Sequence, residues 1–245
     1  PSGGSVTFFG RAYPKSSVTI LKDAQVAATT IAGTDASFLT SLTNLSAGNY
    51  IFSIYSEDKD GYRSALLTFP TSITAGATTN ISGIFLAPTI ATDKAEVRRG
   101  DTVAIFGQAA PQADIVVEVN SDEQFFGKTI SDSGGVYLYN FDSSVLEYGS
   151  HSARSKAAIG NQLISGFSAP VAFRVGVQNI FAEKAKKCPA AGNLNNDCKV
   201  NLIDFSIVAY WYNRTITGAG AKADLNHDNK VNLIDFSILA FHWTG

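Results

Sequence analysis

The chain has 245 residues, 45% apolar, 16% charged and 11% aromatic, with 21 glycines and 7 prolines. Those proportions exclude a largely disordered or collagen-like chain and fit folded domains rich in turns. The formal charge is −2 and the densest basic group is only Lys184, Lys186 and Lys187, which leaves no electrostatic basis for nucleic-acid binding. No apolar run approaches the roughly 18–20 residues of a membrane span. The sequence contains no methionine, so a processed form or an expressed fragment is expected, and the lack of a visible signal peptide says nothing about compartment.

From the start to about residue 175 the pattern is that of strands. Val6-Thr7-Phe8-Phe9, Ser17–Leu21, Asn49–Tyr55 and Ser64–Phe69 are short apolar or alternating runs, and Thr102–Phe106, Ile115–Val119 and Gly135–Tyr139 resume the same texture. Threonine, valine and aromatic residues at this spacing, broken by Gly, Asn and Asp, predict all-β packing. No helix-length amphipathic run interrupts them, which argues against alternating strand–helix units.

An internal echo divides this region. Val6-Thr7-Phe8-Phe9-Gly10-Arg11-Ala12-Tyr13-Pro14 resembles Val103-Ala104-Ile105-Phe106-Gly107-Gln108-Ala109-Ala110-Pro111 at an offset of 97 residues, the length of one sandwich domain. Two β domains are therefore expected, 1–87 and 88–175, joined by the short Ala87-Pro88-Thr89 segment with limited freedom; the alternative is a single larger β domain. Residues 176–187 are expected to connect them to a different module at 188–245.

That module is a duplication. Residues 193–211 and 224–242 share thirteen of nineteen positions, including KVNLIDFSI unbroken. Oxygen-bearing side chains recur at relative positions 1, 3, 5, 9 and 12: Asn193, Asn195, Asp197, Asn201 and Asp204, then Asp224, Asn226, Asp228, Asn232 and Asp235. Calcium takes about six to eight oxygens, and this is the loop period that wraps them round one ion, the backbone carbonyls of Lys199 and Lys230 adding position 7. Asn/Asp-rich turns that only cap local backbone are the alternative for one loop; the same five positions twice argue for two calcium ions. With two carboxylates in the first loop and three in the second, the second site is expected to bind more tightly.

Each loop runs into a predicted helix. Asn201 and Asn232 are placed to cap helices beginning at Leu202 and Leu233, with Asp204 and Asp235 in the first turn. The stripes Leu202, Phe205, Val208, Ala209, Tyr212 and Leu233, Phe236, Leu239, Ala240, Trp243 follow helical spacing and are expected to face inward. The two helices together carry more apolar surface than so small a module can bury. Leu202, Ile203, Ile207, Tyr210 and Trp211 on the first helix, and Leu233, Ile234, Ile238 and Phe241 on the second, are the candidate partner-binding residues. Neither loop is preceded by an amphipathic helix, unlike a paired-helix calcium sensor.

Loop, helix, linker, loop, helix, with D/N-x-N-x-D-x-K-V-N-x-x-D at both loops, resembles the dockerin family over roughly residues 188–245. The resemblance implies two structural calcium ions and docking to a cohesin-like domain, with Leu202-Ile203 and Leu233-Ile234 at positions that often help select the partner. Two departures stand out. Position 6, glycine in the family, is Cys198 and Asn229, and the expected repair at Cys198 is a disulfide to Cys188, two free thiols being the alternative. The apolar pairs also replace the small hydroxyl residues of the better-known type. The two β domains resemble immunoglobulin-like or fibronectin-like spacers of secreted bacterial proteins, Ser168–Val175 being similar to their last strand.

The expected fold is thus multidomain: two all-β immunoglobulin-like sandwiches in tandem, then a small α-helical dockerin-like module with two EF-hand-like calcium loops. The expected function is non-catalytic, secreted or cell-surface assembly, the module docking to a cohesin-like partner or to the adjacent β domain. Only three histidines occur, His151, His227 and His242, with no metalloprotease, nucleophile-elbow or phosphate-loop motif. Asp58, Asp60 and Asp132 sit at hairpin turns, and a glycoside hydrolase fragment is the least favoured reading. A carbohydrate-binding or adhesive surface protein is the alternative, with polysaccharide as ligand and Tyr13, Tyr50, Tyr55, Tyr62, Tyr137 and Tyr139 as stacking candidates.

Overall fold

The computed structural model describes residues 3–160, 163–183, 191–195, 199–216, 218 and 220–244. It falls into two compact units, Pro1–Lys184 and Ala185–Gly245.

The first unit begins with seven strands, β1 (Gly4–Arg11), β2 (Ser17–Lys22), β3 (Gln25–Ile31), β4 (Ser37–Leu45), β5 (Gly48–Glu57), β6 (Leu67–Ile73) and β7 (Thr78–Phe85). They make two sheets, ordered β4-β1-β7 and β3-β2-β5-β6. Their inward faces, Val6 and Phe8 from one sheet and Val18, Ile20, Phe52 and Ile54 from the other, close a single core. Along β1 buried and less buried residues alternate, the period of two that puts one face of a strand on the core.

Ten more strands follow: β8 (Ala91–Thr92), β9 (Lys94–Arg98), β10 (Thr102–Gln108), β11 (Asp114–Asn120), β12 (Gln124–Ile130), β13 (Val136–Asp142), β14 (Gly149–Ile159), β15 (Leu163–Ile164), β16 (Val171–Gly176) and β17 (Ile180–Phe181). They build a second sandwich from the sheets β13-β10-β8 and β12-β11-β14-β16-β9-β17, with β15 paired to β14. Val103, Ile105, Ile115, Val117, Tyr137 and Phe173 fill its core. The strand β17 falls inside the stretch expected to be a connector, and it pairs antiparallel with β9.

The sequence echo has a structural cause. Val6, Phe8 and Ala12 are buried in the first sandwich as Val103, Ile105 and Ala109 are in the second. Gly10 and Gly107 mark the same kind of close approach: a Cβ on Gly10 would run into the Ile84 carbonyl, and one on Gly107 into the Thr89 carbonyl. Glycine is required there so that two backbones can touch.

The segment between the sandwiches is buried from Leu86 to Thr89. The Tyr13 hydroxyl donates to the Ala87 carbonyl. Tyr137 donates to the Thr89 carbonyl at 2.7 Å and pairs with Ser155 Oγ at 2.9 Å. Burial pushes both tyrosine hydroxyls above their ordinary pKa, so both remain protonated donors. Thr89 exchanges two bonds with Gln108, one from each backbone N–H, and its hydroxyl reaches Asp58 of the first sandwich at 2.7 Å. The expected limited freedom is thus a set of buried hydrogen bonds.

In the second unit the helices α1 (Leu202–Trp211) and α2 (Leu233–Phe241) start where capping predicts. Val200, Val208, Ala223, Val231 and Leu239 form their shared core, with Leu194, Trp211, Ile216, Leu225 and Phe236 packed against it. Among the described residues no helix is long and apolar enough to cross a membrane.

Candidate functional site

Each loop of the second unit is tied to its helix by the last acidic residue of the repeat. Asp204 and Asp235 are fully buried. Asp204 Oδ1 accepts from the backbone N–H of Leu194 at 2.7 Å and Asn195 at 3.3 Å, and its Oδ2 from Asn201 N at 3.0 Å. Asp235 repeats this with Leu225 at 2.7 Å, Asn226 at 3.4 Å and Asn232 at 2.8 Å. The start of the loop is thereby pinned to the first turn of the helix. Asn201 and Asn232 complete a reciprocal cap, their side-chain oxygens accepting from Ile203 N at 2.8 Å and Ile234 N at 2.7 Å, so two otherwise unpaired donors are satisfied at each helix start.

The second loop is described throughout. Asp224 Oδ1 accepts from Asp228 N at 3.1 Å and Oδ2 from Asn229 N at 2.8 Å. Asp228 collects donors: Asn226 Nδ2 at 3.0 Å, Asn232 Nδ2 at 3.3 Å and Lys230 N at 2.9 Å. The Asn226 amide, first among these, holds the Asp228 carboxyl below its ordinary pKa. His227 and Asn229 take positive φ, 58° and 64°. Asparagine tolerates that conformation well, which agrees with its standing where glycine was expected.

In the first loop Asn193, Asn195, Lys199, Asn201 and Asp204 are described, whereas Asp197, Cys188 and Cys198 lie outside the described residues, and the disulfide with them. Asn193 Oδ1 is buried and, among the described residues, has no hydrogen-bond partner. A buried oxygen without a donor is costly, and its place at position 1 of the loop suits an oxygen-seeking cation. The donor set is all oxygen, as calcium requires. At position 12 each carboxylate Oδ2 accepts one N–H, so lone-pair capacity remains for a metal. The oxygen donors of the described residues suit calcium by type, although among those residues no three carboxylate, histidine or cysteine side chains come together as a metal-holding group.

The helix faces differ from the expected inward stripes. Of those residues only Val208 and Leu239 are fully buried, and Phe236 is half-buried; Leu202, Phe205, Ala209, Tyr212, Leu233, Ala240 and Trp243 are exposed. The reason is that α1 is apolar nearly all round, so its periodicity cannot select a face. The module core is small, and one residue per helix suffices to reach its centre. Phe205, Ala209, Tyr212, Leu233, Phe236 and Ala240 instead line an apolar groove of about 760 Å³. Phe205 and Phe236 meet edge-on across it at 4.8 Å. Of the candidate partner-binding residues, Leu202, Ile203, Tyr210, Leu233, Ile234 and Phe241 are exposed, Ile207 and Ile238 are half-buried, and Trp211 packs against the core.

In the β unit the aspartates at turns act as turn residues. Asp58 Oδ1 accepts from Asp60 N at 3.0 Å and Tyr62 N at 2.9 Å, and Asp132 Oδ1 from Gly134 N and Val136 N, both at 2.8 Å. The second contact of Asp58, across to Thr89, had no sequence signal because the two are 31 residues apart and meet only in the fold. Of the tyrosines considered for stacking, Tyr13 and Tyr137 are buried and Tyr50, Tyr55, Tyr62 and Tyr139 half-buried, so these six form no exposed strip.

No curated protein matches this sequence. Among solved structures, a DUF3823 family protein from Bacteroides ovatus is 12% identical over 72% of this chain and 100% of its own, with a TM-score of 0.29. A tetra-tandem repeat from the extending region of a large adhesion protein gives 18%, 71%, 50% and 0.33 for the same four quantities. The fibronectin(III)-like modules of Clostridium thermocellum CbhA give 16%, 71%, 90% and 0.27. Likeness this slight carries nothing about activity. Residues 191–241 match the dockerin type I domain family, and the chain therefore carries a small C-terminal dockerin-like module behind its β-sheet domains.

Proposed function

We propose that the chain is a non-catalytic, secreted or cell-surface assembly protein. Its two β-sandwiches, at about 1–87 and 88–175, act as spacers, and its C-terminal module, held by two calcium ions, docks to a cohesin-like partner or to the adjacent β domain. The observation that carries this reading is the duplicated loop–helix unit, in which Asp204 and Asp235 are buried at the same position and bind the same backbone donors. The match of residues 191–241 to the dockerin type I family supports it.

Asn193, Asn195, Asp197, the Lys199 carbonyl, Asn201 and Asp204 would hold one ion; Asp224, Asn226, Asp228, the Lys230 carbonyl, Asn232 and Asp235 would hold the other. Calcium would supply the positive charge that draws the loop carboxylates together, so binding and folding of the loops would be coupled. The chain's own part is to seat position 12 before any ion arrives, through the N–H groups gathered on Asp204 and Asp235. The exposed apolar groove between α1 and α2 then supplies an interface centre of the kind that drives association.

Both tryptophans, Trp211 and Trp243, lie in this module, so its tryptophan emission reports on it alone. Calcium added to the chelated full chain should change that emission with a stoichiometry of two, and a pull-down from the native secretome should capture a partner only with calcium present. A chelated chain with unchanged emission and unchanged capture would sink the proposal. The alternative, an adhesive or carbohydrate-binding surface protein, gains nothing from the six tyrosines named above.

A further inference from the structure

The second sandwich carries a polar pocket of about 580 Å³ at one end, lined by Asn120, Asp122, Glu147, Tyr148 and His151 together with small serine and glycine residues. Its volume falls within the range that holds small ligands. The β11–β12 turn forms one wall, and the loop entering β14 forms the other.

Tyr148 is 61% exposed, yet its ring is backed by the Arg99 guanidinium, 5.5 Å from the ring centre. Arg99 is itself fixed, Nε donating to the Leu146 carbonyl at 2.9 Å and Nη2 to that of Ser144 at 3.3 Å. The tyrosine is therefore a braced platform with an open face. Such a ring suits a flat, C–H-bearing surface, since aromatic faces attract partly positive hydrogens.

His151 lines the same pocket. It is only 8% exposed, rests on Phe173, and pairs through Nε2 with the Glu147 carbonyl at 2.9 Å. A carbonyl only accepts, so Nε2 carries the proton, and in the neutral ring Nδ1 is an acceptor. That Nδ1 is buried and, among the described residues, has no partner. Two exposed carboxylates, Asp122 and Glu147, and the Asn120 amide add further acceptors around the same space.

Acceptors on both walls and a braced aromatic face on one of them complement a pyranose ring, which donates through its hydroxyls and stacks through its C–H face. The two carboxylates repel uronic, sulfated or phosphorylated sugars. We propose that this pocket is a subsite for one neutral sugar residue of a polysaccharide: Tyr148 stacks on the ring, Asn120, Asp122 and Glu147 take its hydroxyls, and His151 is a positioning residue that holds the Glu147–Tyr148 loop. The site needs neither calcium loop and stands apart from the assembly reading.

The test is an amide-resolved NMR titration of the full chain, in chelator, with β-1,4-linked glucose, xylose and mannose hexasaccharides and with hexagalacturonate. One or more of the neutral sugars should shift amides at 120–122 and 147–152, hexagalacturonate should not, and Tyr148→Ala should weaken binding about tenfold or more with the remaining amides unmoved. Should Tyr148→Ala disturb the loop, Asp122→Asn provides the same comparison from the opposite wall. Absence of shifts with all three neutral sugars at millimolar concentration overturns the proposal. So do equal shifts with hexagalacturonate, undiminished binding by both variants, or calcium alone moving these amides.

Discussion

The Thr89 hydroxyl donates to Asp58 Oδ2 at 2.7 Å, joining the segment between the two sandwiches to a buried aspartate at the start of a turn of the first. The same hydroxyl oxygen accepts from Gln108 N at 2.9 Å, so one side chain links Asp58 to the start of the second sandwich. Burial raises the Asp58 carboxyl above its ordinary pKa, against the lowering effect of donors from Thr89, Tyr62 and Asp60.

Thr89→Val leaves the Asp58 carboxylate short of one donor and Gln108 N short of its acceptor, and should cost about 1–3 kcal/mol in urea unfolding of the β unit. The sign of its pH dependence follows from the raised pKa. Asp58 adds stability that is fully present below the unfolded value of about 3.9 and is lost as pH rises through the folded value. The stability of the wild type relative to Asp58→Asn should therefore grow on acidification across that window. Asp35, Asp101 and Asp142, whose carboxyls are lowered chiefly by hydrogen bonds from Ser37, Asn179 and Ser144, act in the opposite sense, so only the difference between the two proteins isolates Asp58.

Gly107→Ala places a methyl group against the Thr89 carbonyl at this same junction. Overpacking against backbone costs about 1–3 kcal/mol. Chemical denaturation should show that loss, whereas Gly166→Ala, where a Cβ meets open space, should change stability by less than about 0.5 kcal/mol.

Asn193 offers one side-chain oxygen where its counterpart Asp224 offers two, each of the latter accepting a backbone N–H. Asn193→Asp should tighten calcium binding at the first loop several-fold and narrow the gap to the second, which is expected to be the tighter. Site-resolved titration checks the order, and a wild-type first loop that binds more tightly than the second contradicts it.

Leu239 is fully buried and Leu233 is 68% exposed, although both belong to one helical stripe. Leu239→Ala should cost about 2–5 kcal/mol, read by tryptophan emission from Trp211 on the module core. Leu233→Ala should stay within about 0.5 kcal/mol while weakening whatever docks in the groove.

Local chemistry made much of this legible. An Asn before LID placed both helix starts, since its side chain and the following Asp satisfy donors only a few residues away. Asn229 at position 6 announced a left-handed turn for a reason confined to one residue. The β7–β8 junction and the polar pocket had no such signal. Asp58 and Thr89 are 31 residues apart, and Asn120 and Tyr148 line one pocket only because β11 pairs with β14.

The sequence by itself determined that two like units stand at the C-terminus, where their caps fall and which oxygens their loops can offer, because each of these depends on neighbours along the chain. It also set the period-two texture of the β region and the two matching glycines. Only the tertiary structure decided which face of each helix is covered, since LIDFSIVAYW is apolar in almost every direction and the choice rests on what packs beside it: Val200, Ala223 and Val231 drew in Val208 and Leu239 and left Phe205 and Leu233 to solvent.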